Sequence, residues 1–213
     1  MINIGNRAVI TTRENFDNNG VGVYLHWNGG RDSVQAFLKY CELRNFRAPD
    51  ADNYGWARLV QVIANFMGVD GLSVGIDTID HLDTNNYDSG TYIIEGWNIV
   101  GREYFEGDEQ DDHILEDMLK AIDAAQPKEQ QLGDYLTAEE VPVNELNVGD
   151  EIYVRRWNNE IKRVKVLGFG DGRIVNGVDT KGLPYADICG NGVVEGRENP
   201  NNYIRDKVVR RVG

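Results

Sequence analysis

The chain predicts an α+β protein: an antiparallel sheet carrying two or three helices, followed by a small β-barrel module of SH3-like type. Three observations lead there. Two stretches in the first half hold apolar residues at helical spacing, and β-rich runs bounded by Gly, Asn and Asp surround them. Beyond a polar stretch near residue 127 the helical pattern stops, and short β-runs follow one another to the end. Charge divides in a similar place. Residues 1–150 carry 27 acidic and 10 basic side chains, a net −17; residues 151–213 carry 8 and 12, a net +4. An acidic front and a mildly basic tail suggest two surfaces with different partners.

Taken in order, residues 7–12 and 21–27 are β-rich and are separated by a segment ending in Asn18-Asn19-Gly20, which predicts an antiparallel hairpin. From Ser33, apolar residues fall at Val34, Phe37, Leu38 and Cys41, the face of an amphipathic helix capped by Asp32 or Ser33. Trp56, Leu59, Val60, Ile63, Phe66 and Met67 mark a second helix, started by Asp50 or Asp52 and stopped by Gly68. Residues 72–77, 91–95 and 98–105 extend the sheet, the last two as a hairpin around Gly96-Trp97. A third helix is expected over 113–125 with Ile114, Leu115, Met118, Ile122 and Ala125 inward.

Pro127 and its polar neighbours predict a linker over 127–138, between an acidic domain at 1–126 and a β-domain at 139–213. Thr137-Ala138-Glu139-Glu140 fits a helix capping box. Strands are then expected at 152–157, 161–169, 173–178 and 203–212. No apolar run reaches the roughly 18 residues of a membrane span, so a soluble chain without membrane contact is expected. Cys41 and Cys189 are too few for a disulfide framework or a cysteine zinc site, which leaves ordinary thiols or a single bridge.

Four constellations carry chemistry. The turn Asn28-Gly29-Gly30-Arg31-Asp32-Ser33 joins a strand to a helix. It resembles the PP-loop of ATP pyrophosphatases, in which a serine stands where this chain has Asn28. The resemblance implies that Asn28, Gly29, Gly30 and Ser33 cradle a phosphate against helix amides while Asp32 holds the loop, as in a nucleotide-binding enzyme or sensor. The same strand and helix, Tyr24 to Leu38 with His26-Trp27-Asn28-Gly29 at their junction, is similar to a class of uncharacterised phage and mobile-element proteins. That resemblance implies a bacterial cytoplasm and no particular chemistry.

In the loop 77–90, Asp80, Asp83, Asn85 and Asp88 are the oxygen donors that would take Ca²⁺ or Mg²⁺; an ordinary polar β-connection has the same composition, and no cofactor is otherwise expected. Between residues 103 and 117 the carboxylates are dense. Glu106, Asp108, Glu109, Asp111, Asp112, Glu116 and Asp117 form an acidic array that could occupy the basic site of a host or phage protein, or serve only as a solvated helix start. In the tail, Arg155, Arg156, Lys162, Arg163 and Lys165 with Tyr153 and Trp157, and Arg205, Lys207, Arg210 and Arg211, predict either a nucleic-acid surface or cations that face the acidic domain. His26 alternates to the same side as Tyr24, and neither cysteine has a motif that supplies a base. The leading expectation is a non-enzymatic interaction protein acting on host defence or gene-expression machinery through its acidic surface.

Overall fold

The computed structural model describes residues 6–68, 73–109, 112–157, 159–192 and 199–213. It divides into two compact units, Met1–Gln131 and Leu132–Gly213. The molecule is mixed α+β with mainly antiparallel sheets. Among the described residues, no helix is long and apolar enough to cross a membrane.

In the first unit, β1 (Ala8–Thr12), β2 (Val21–Leu25), β3 (Val74–Thr78), β4 (Thr91–Glu95) and β5 (Asn98–Glu103) form one sheet in the order β3-β2-β1-β4-β5. Neighbours are antiparallel except at the centre, where β1 and β4 run parallel. This corrects the wholly antiparallel expectation. A long excursion through β2, two helices and β3 separates the two strands, and a connection of that length lets the chain return in its original direction. The segment between β1 and β2 also differs, since it holds a short helix, α1 (Arg13–Asp17), whose first turn is capped by the Thr12 hydroxyl accepting from the Asn15 amide. Five residues are too few to show a helical period.

Three longer helices follow: α2 (Arg31–Leu43), α3 (Asn53–Met67) and α4 (Leu115–Ala125). α2 buries Val34, Phe37, Leu38 and Cys41 as its period predicts, and also Ser33, Ala36, Tyr40 and Leu43, because α3 and α4 pack on it as well as the sheet edge. It starts at Arg31, two residues before Ser33, and its N-cap is Gly30. α3 is capped by Asp52 and ends at Gly68, whose φ of +77° suits glycine. α4 buries Met118, Leu119 and Ile122, yet Ile114, expected inward, is 71% exposed and Leu115 41%. The helix begins two residues later than its apolar pattern suggests, and these two side chains line an open hollow instead. On the opposite face of the sheet, a Cβ on Gly22 would meet Leu82 Cδ1 at 2.8 Å and Ile79 Cδ1 at 3.0 Å, so the segment after β3 packs directly over β2.

The second unit contains β6 (Glu139–Pro142), β7 (Glu151–Arg155), β8 (Ile161–Lys165), β9 (Gly168–Phe169), β10 (Ile174–Val175), β11 (Val178–Asp179), β12 (Pro184–Tyr185) and β13 (Val208–Arg211). An antiparallel sheet in the order β6-β13-β7-β8 is accompanied by the pairs β9–β12 and β10–β11. Among the described residues these pairings do not close into a ring. The sheet covers a core of Val141, Leu146, Ile152, Val154, Val166, Ala186, Ile204 and Val209.

Four expectations change here, one cap and three strands. Thr137 to Glu140 does not cap a helix, because Glu139 and Glu140 lie in β6 opposite Arg211 and Arg210 and form ion pairs with them at 2.7 Å each. The strand expected at 173–178 is a tight hairpin turning at Asn176-Gly177, both at positive φ. The run 161–169 breaks into β8 and β9, and 203–212 keeps only β13, with Tyr203 forming an isolated bridge to Tyr185. The stretch 127–138 holds two 3-10 turns, and the Gln131 amide donates to the carbonyls of Ala124 and Gln126 at 3.3 and 2.9 Å.

Candidate functional site

The glycine turn and the acidic run, far apart in sequence, meet at the head of α2. Asn28 takes a φ of +56°, which asparagine tolerates, and Gly29 and Gly30 then lie buried beneath the helix start. A Cβ on Gly29 would approach the Asn6 carbonyl oxygen at 2.5 Å and Ala8 Cβ at 2.8 Å, so its missing side chain is required by packing on β1. Its amide donates to Asn6 at 2.8 Å, and its carbonyl accepts from the Tyr92 hydroxyl at 3.0 Å. Ser33 is buried, and its amide donates to Asp32 Oδ1 at 2.6 Å. The other oxygen of Asp32 accepts the amides of both Asp112 and His113 at 2.8 Å. Asp32 therefore holds a loop, as the phosphate-loop resemblance implies, but the loop it holds is the acidic one.

Arg102 organises the other side. Its side chain is 9% exposed, its guanidinium lies 4.3 Å from the Tyr92 ring centre and 3.5 Å from that of Phe105, and its Nε donates to the Ser89 carbonyl at 2.7 Å. It also binds Glu109, which pairs through its second oxygen with Arg31 at 3.2 Å. Burial alone would raise the Glu109 carboxyl, but the hydrogen bonds and charges of Arg102 and Arg31 outweigh it and hold the group below the usual glutamate value. Arg31, Asp32 and Gln35 thus face Glu109, Asp112, His113, Ile114 and Leu115 across a hollow of about 560 Å³.

The acidic residues consequently differ in role. Glu109 is a structural anion, and Glu116 pairs with Lys120 at 2.8 Å. Glu106, Asp108, Asp112 and Asp117 are exposed and make no ion pair among the described residues. Asp111 lies outside those residues.

The comparisons with known proteins add no relative. No family model, curated protein or solved structure matches the chain.

The remaining candidates are placed as follows. Asp80 accepts from the Thr78 hydroxyl at 2.7 Å, while Asp83 and Asp88 both face Arg7, at 3.5 and 2.7 Å. Asn85 lines a separate hollow with Tyr87, Asp88, Tyr104 and Glu106. Among the described residues, no three His, Cys, Asp or Glu side chains converge as metal ligands. The alternation that puts His26 beside Tyr24 is realised in a contact of 3.2 Å between the Tyr24 hydroxyl and His26 Nδ1, on an exposed strand end. Cys41 is fully buried, and burial pushes its thiol well above the ordinary range; Cys189 is a free thiol in the second unit.

In the second unit, Arg163 pairs with Glu151, Arg156 with Glu160, and Arg210 and Arg211 with β6. Arg210 also donates to the carbonyls of Tyr135 and Leu136 at 2.9 and 3.0 Å. Much of the basic array is therefore committed to its own sheet, while Trp157, 91% exposed, stands free of it.

Proposed function

We propose that the chain is a non-enzymatic interaction protein of a phage or mobile element, presenting an acidic surface at the head of α2 to a basic site on a host or phage protein. The observation that carries the reading is the division of labour among the carboxylates. Arg31 and Arg102 both close on Glu109, and Asp32 fixes the backbone of residues 112–113, so the segment is held in shape. The charges of Glu106, Asp108, Asp112 and Asp117 are left to solvent. A surface whose supports are internal and whose acceptors face outward is preorganised for a cationic partner.

The test reverses charge only at positions without a supporting role. The triple variant Asp108→Lys, Asp112→Lys, Asp117→Lys is expected to fold like the parent and to lose salt-sensitive retention of its cellular partner. Unchanged capture of the same partner by the triple variant, with unchanged salt dependence, would sink the acidic-surface reading.

A phosphate-binding turn is the competing reading, and it rests on the motif Asn28 to Ser33 and on a helix start above it. Calorimetry with ATP, AMP and pyrophosphate, with and without Mg²⁺, separates the two, since the acidic-surface reading expects no heat with any of them. For the second unit, an SH3-like barrel is the architecture we propose for its short antiparallel strands. Exposed Trp157, just past the end of β7, is where a single-stranded nucleic acid would stack if that unit binds one.

A further inference from the structure

Seven residues other than glycine take a positive φ among the described residues, and five of them are asparagines, the side chain that tolerates this region best. The other two are Tyr87, at +57°, and Tyr104, at +56°. Both line one hollow, of about 360 Å³, together with Asn85, Asp88 and Glu106. Neither tyrosine is put there by burial: Tyr87 is 88% exposed and Tyr104 53%.

The surroundings impose this geometry. Asn86, fully buried, donates to the carbonyls of Asp83 and Gly90 at 3.1 Å each and accepts the amides of Asp88 and Gly90 at 3.1 and 2.9 Å. Arg7 then fixes Asp88 through its amide and its Nε. Tyr87 is thus clamped on both sides and pushed outward. Tyr104 is braced by the Phe16 ring at 6.2 Å and by Gly90, where a Cβ would meet the Tyr104 carbonyl oxygen at 2.7 Å. Strain on bulky residues that remain largely exposed is a feature of ligand clamps.

We propose that the hollow between Tyr87 and Tyr104 binds an organic cation, an ammonium or guanidinium head group held by the two aromatic rings with Glu106 as its counter-charge. Electrostatics select the sign. Among the described residues no basic side chain lines the hollow; Arg7 is engaged by Asp83 and Asp88, and Arg13, which lies over the Phe16 ring, is engaged by Glu103 and Asp17. Asp88 is therefore already balanced, and Glu106 supplies the free charge, with the Asn85 amide oxygen as a further acceptor. Two tyrosines and a carboxylate around a concavity favour a cation over a neutral molecule of equal size. The site shares Glu106 with the acidic surface proposed above but draws on none of Asp108, Asp112 or Asp117, the positions reversed in its test.

The test is a proton NMR titration of the full chain, following the tyrosine ring resonances. Tetramethylammonium, N-acetyl-lysine methylamide and the neutral neopentyl alcohol are added in turn. Saturable shifts with a cation and none with the alcohol are expected. Tyr87→Asn and Glu106→Gln should each weaken the cation about threefold to tenfold, and Tyr54→Ala, an exposed tyrosine elsewhere in the unit, should leave it unchanged. Tighter binding of tetramethylammonium points to a free quaternary amine, and tighter binding of the lysine derivative to a partner's side chain; either supports the site. Asparagine accepts a positive φ, so Tyr87→Asn should also raise the thermal midpoint while weakening binding. Equal shifts with neopentyl alcohol, or no saturable shift with either cation, would overturn the proposal.

Discussion

At Gly29 one hydrogen atom in place of a methyl group decides whether α2 can begin where it does. A Cβ there would stand 2.5 Å from the Asn6 carbonyl oxygen and 2.7 Å from the Arg7 carbonyl carbon, both backbone atoms that cannot swing aside. Gly29→Ala should cost about 2 kcal/mol or more, read as a lower urea midpoint; an unchanged midpoint would show that β1 and the turn are not packed this closely. Tyr40 makes a different residue-scale claim. Its hydroxyl donates to Asp123 at 2.7 Å in the interior, and burial, reinforced by that carboxylate, pushes its phenol far up. Burial likewise pushes Tyr92 up to about 12. A phenol kept protonated by the fold adds stability below its unfolded pKa, roughly 10, and that contribution drains away as pH rises towards the folded value. Unfolding free energy should therefore fall between about pH 10 and pH 12. Tyr40→Phe should make that decline shallower while costing about 1–2 kcal/mol at neutral pH through the lost hydrogen bond. An identical alkaline slope in the variant would remove Tyr40 from the account.

Among the elements, helices were the most readable. Val34, Phe37, Leu38 and Cys41 named the face of α2, and Asp52 and Gly68 bounded α3, because apolar period and caps are local properties of the chain. Local signals failed where tertiary pairing overrode them. Glu139 and Glu140 read as a capping box until Arg210 and Arg211, seventy residues on, claimed them as strand partners. Asn176-Gly177 was a legible hairpin signal that the β-rich run around it concealed. At the site, Asp32 and the acidic run were visible, but the buried anchoring role of Arg102 was not. Its place opposite Tyr92 depends on a register shift between Ile93 and Ile94, which a plain two-residue hairpin count would miss. The link between α2 and the acidic segment is testable at this scale. Asp32→Asn removes the charge and one of the two acceptor oxygens at the helix head, so amide exchange at Asp112 and His113 should accelerate while the α2 interior stays protected. Unaltered exchange at both amides would mean that Asp32 does not hold the loop.

The whole molecule is two compact units, and the second has its own core around Ile152 and Val209. Ile152 is fully buried, and Ile152→Ala should remove about 2–5 kcal/mol from that unit alone. Thermal melting followed at separate probes in each unit would then show one midpoint lowered and the other unmoved; a joint shift would argue for a single cooperative unit. The parallel pairing of β1 with β4 has a consequence for how the chain is made. β2 follows β1 closely and pairs with it, but the other edge of β1 waits for Thr91–Glu95, about eighty residues later. At 5–20 residues per second that is roughly 4–16 s. Through that interval Ala8–Thr12, a strand buried along its whole length once folded, shows an open edge to any other chain nearby. Translation that stalls before β4 should yield aggregates, where a stall after β5 leaves the sheet complete.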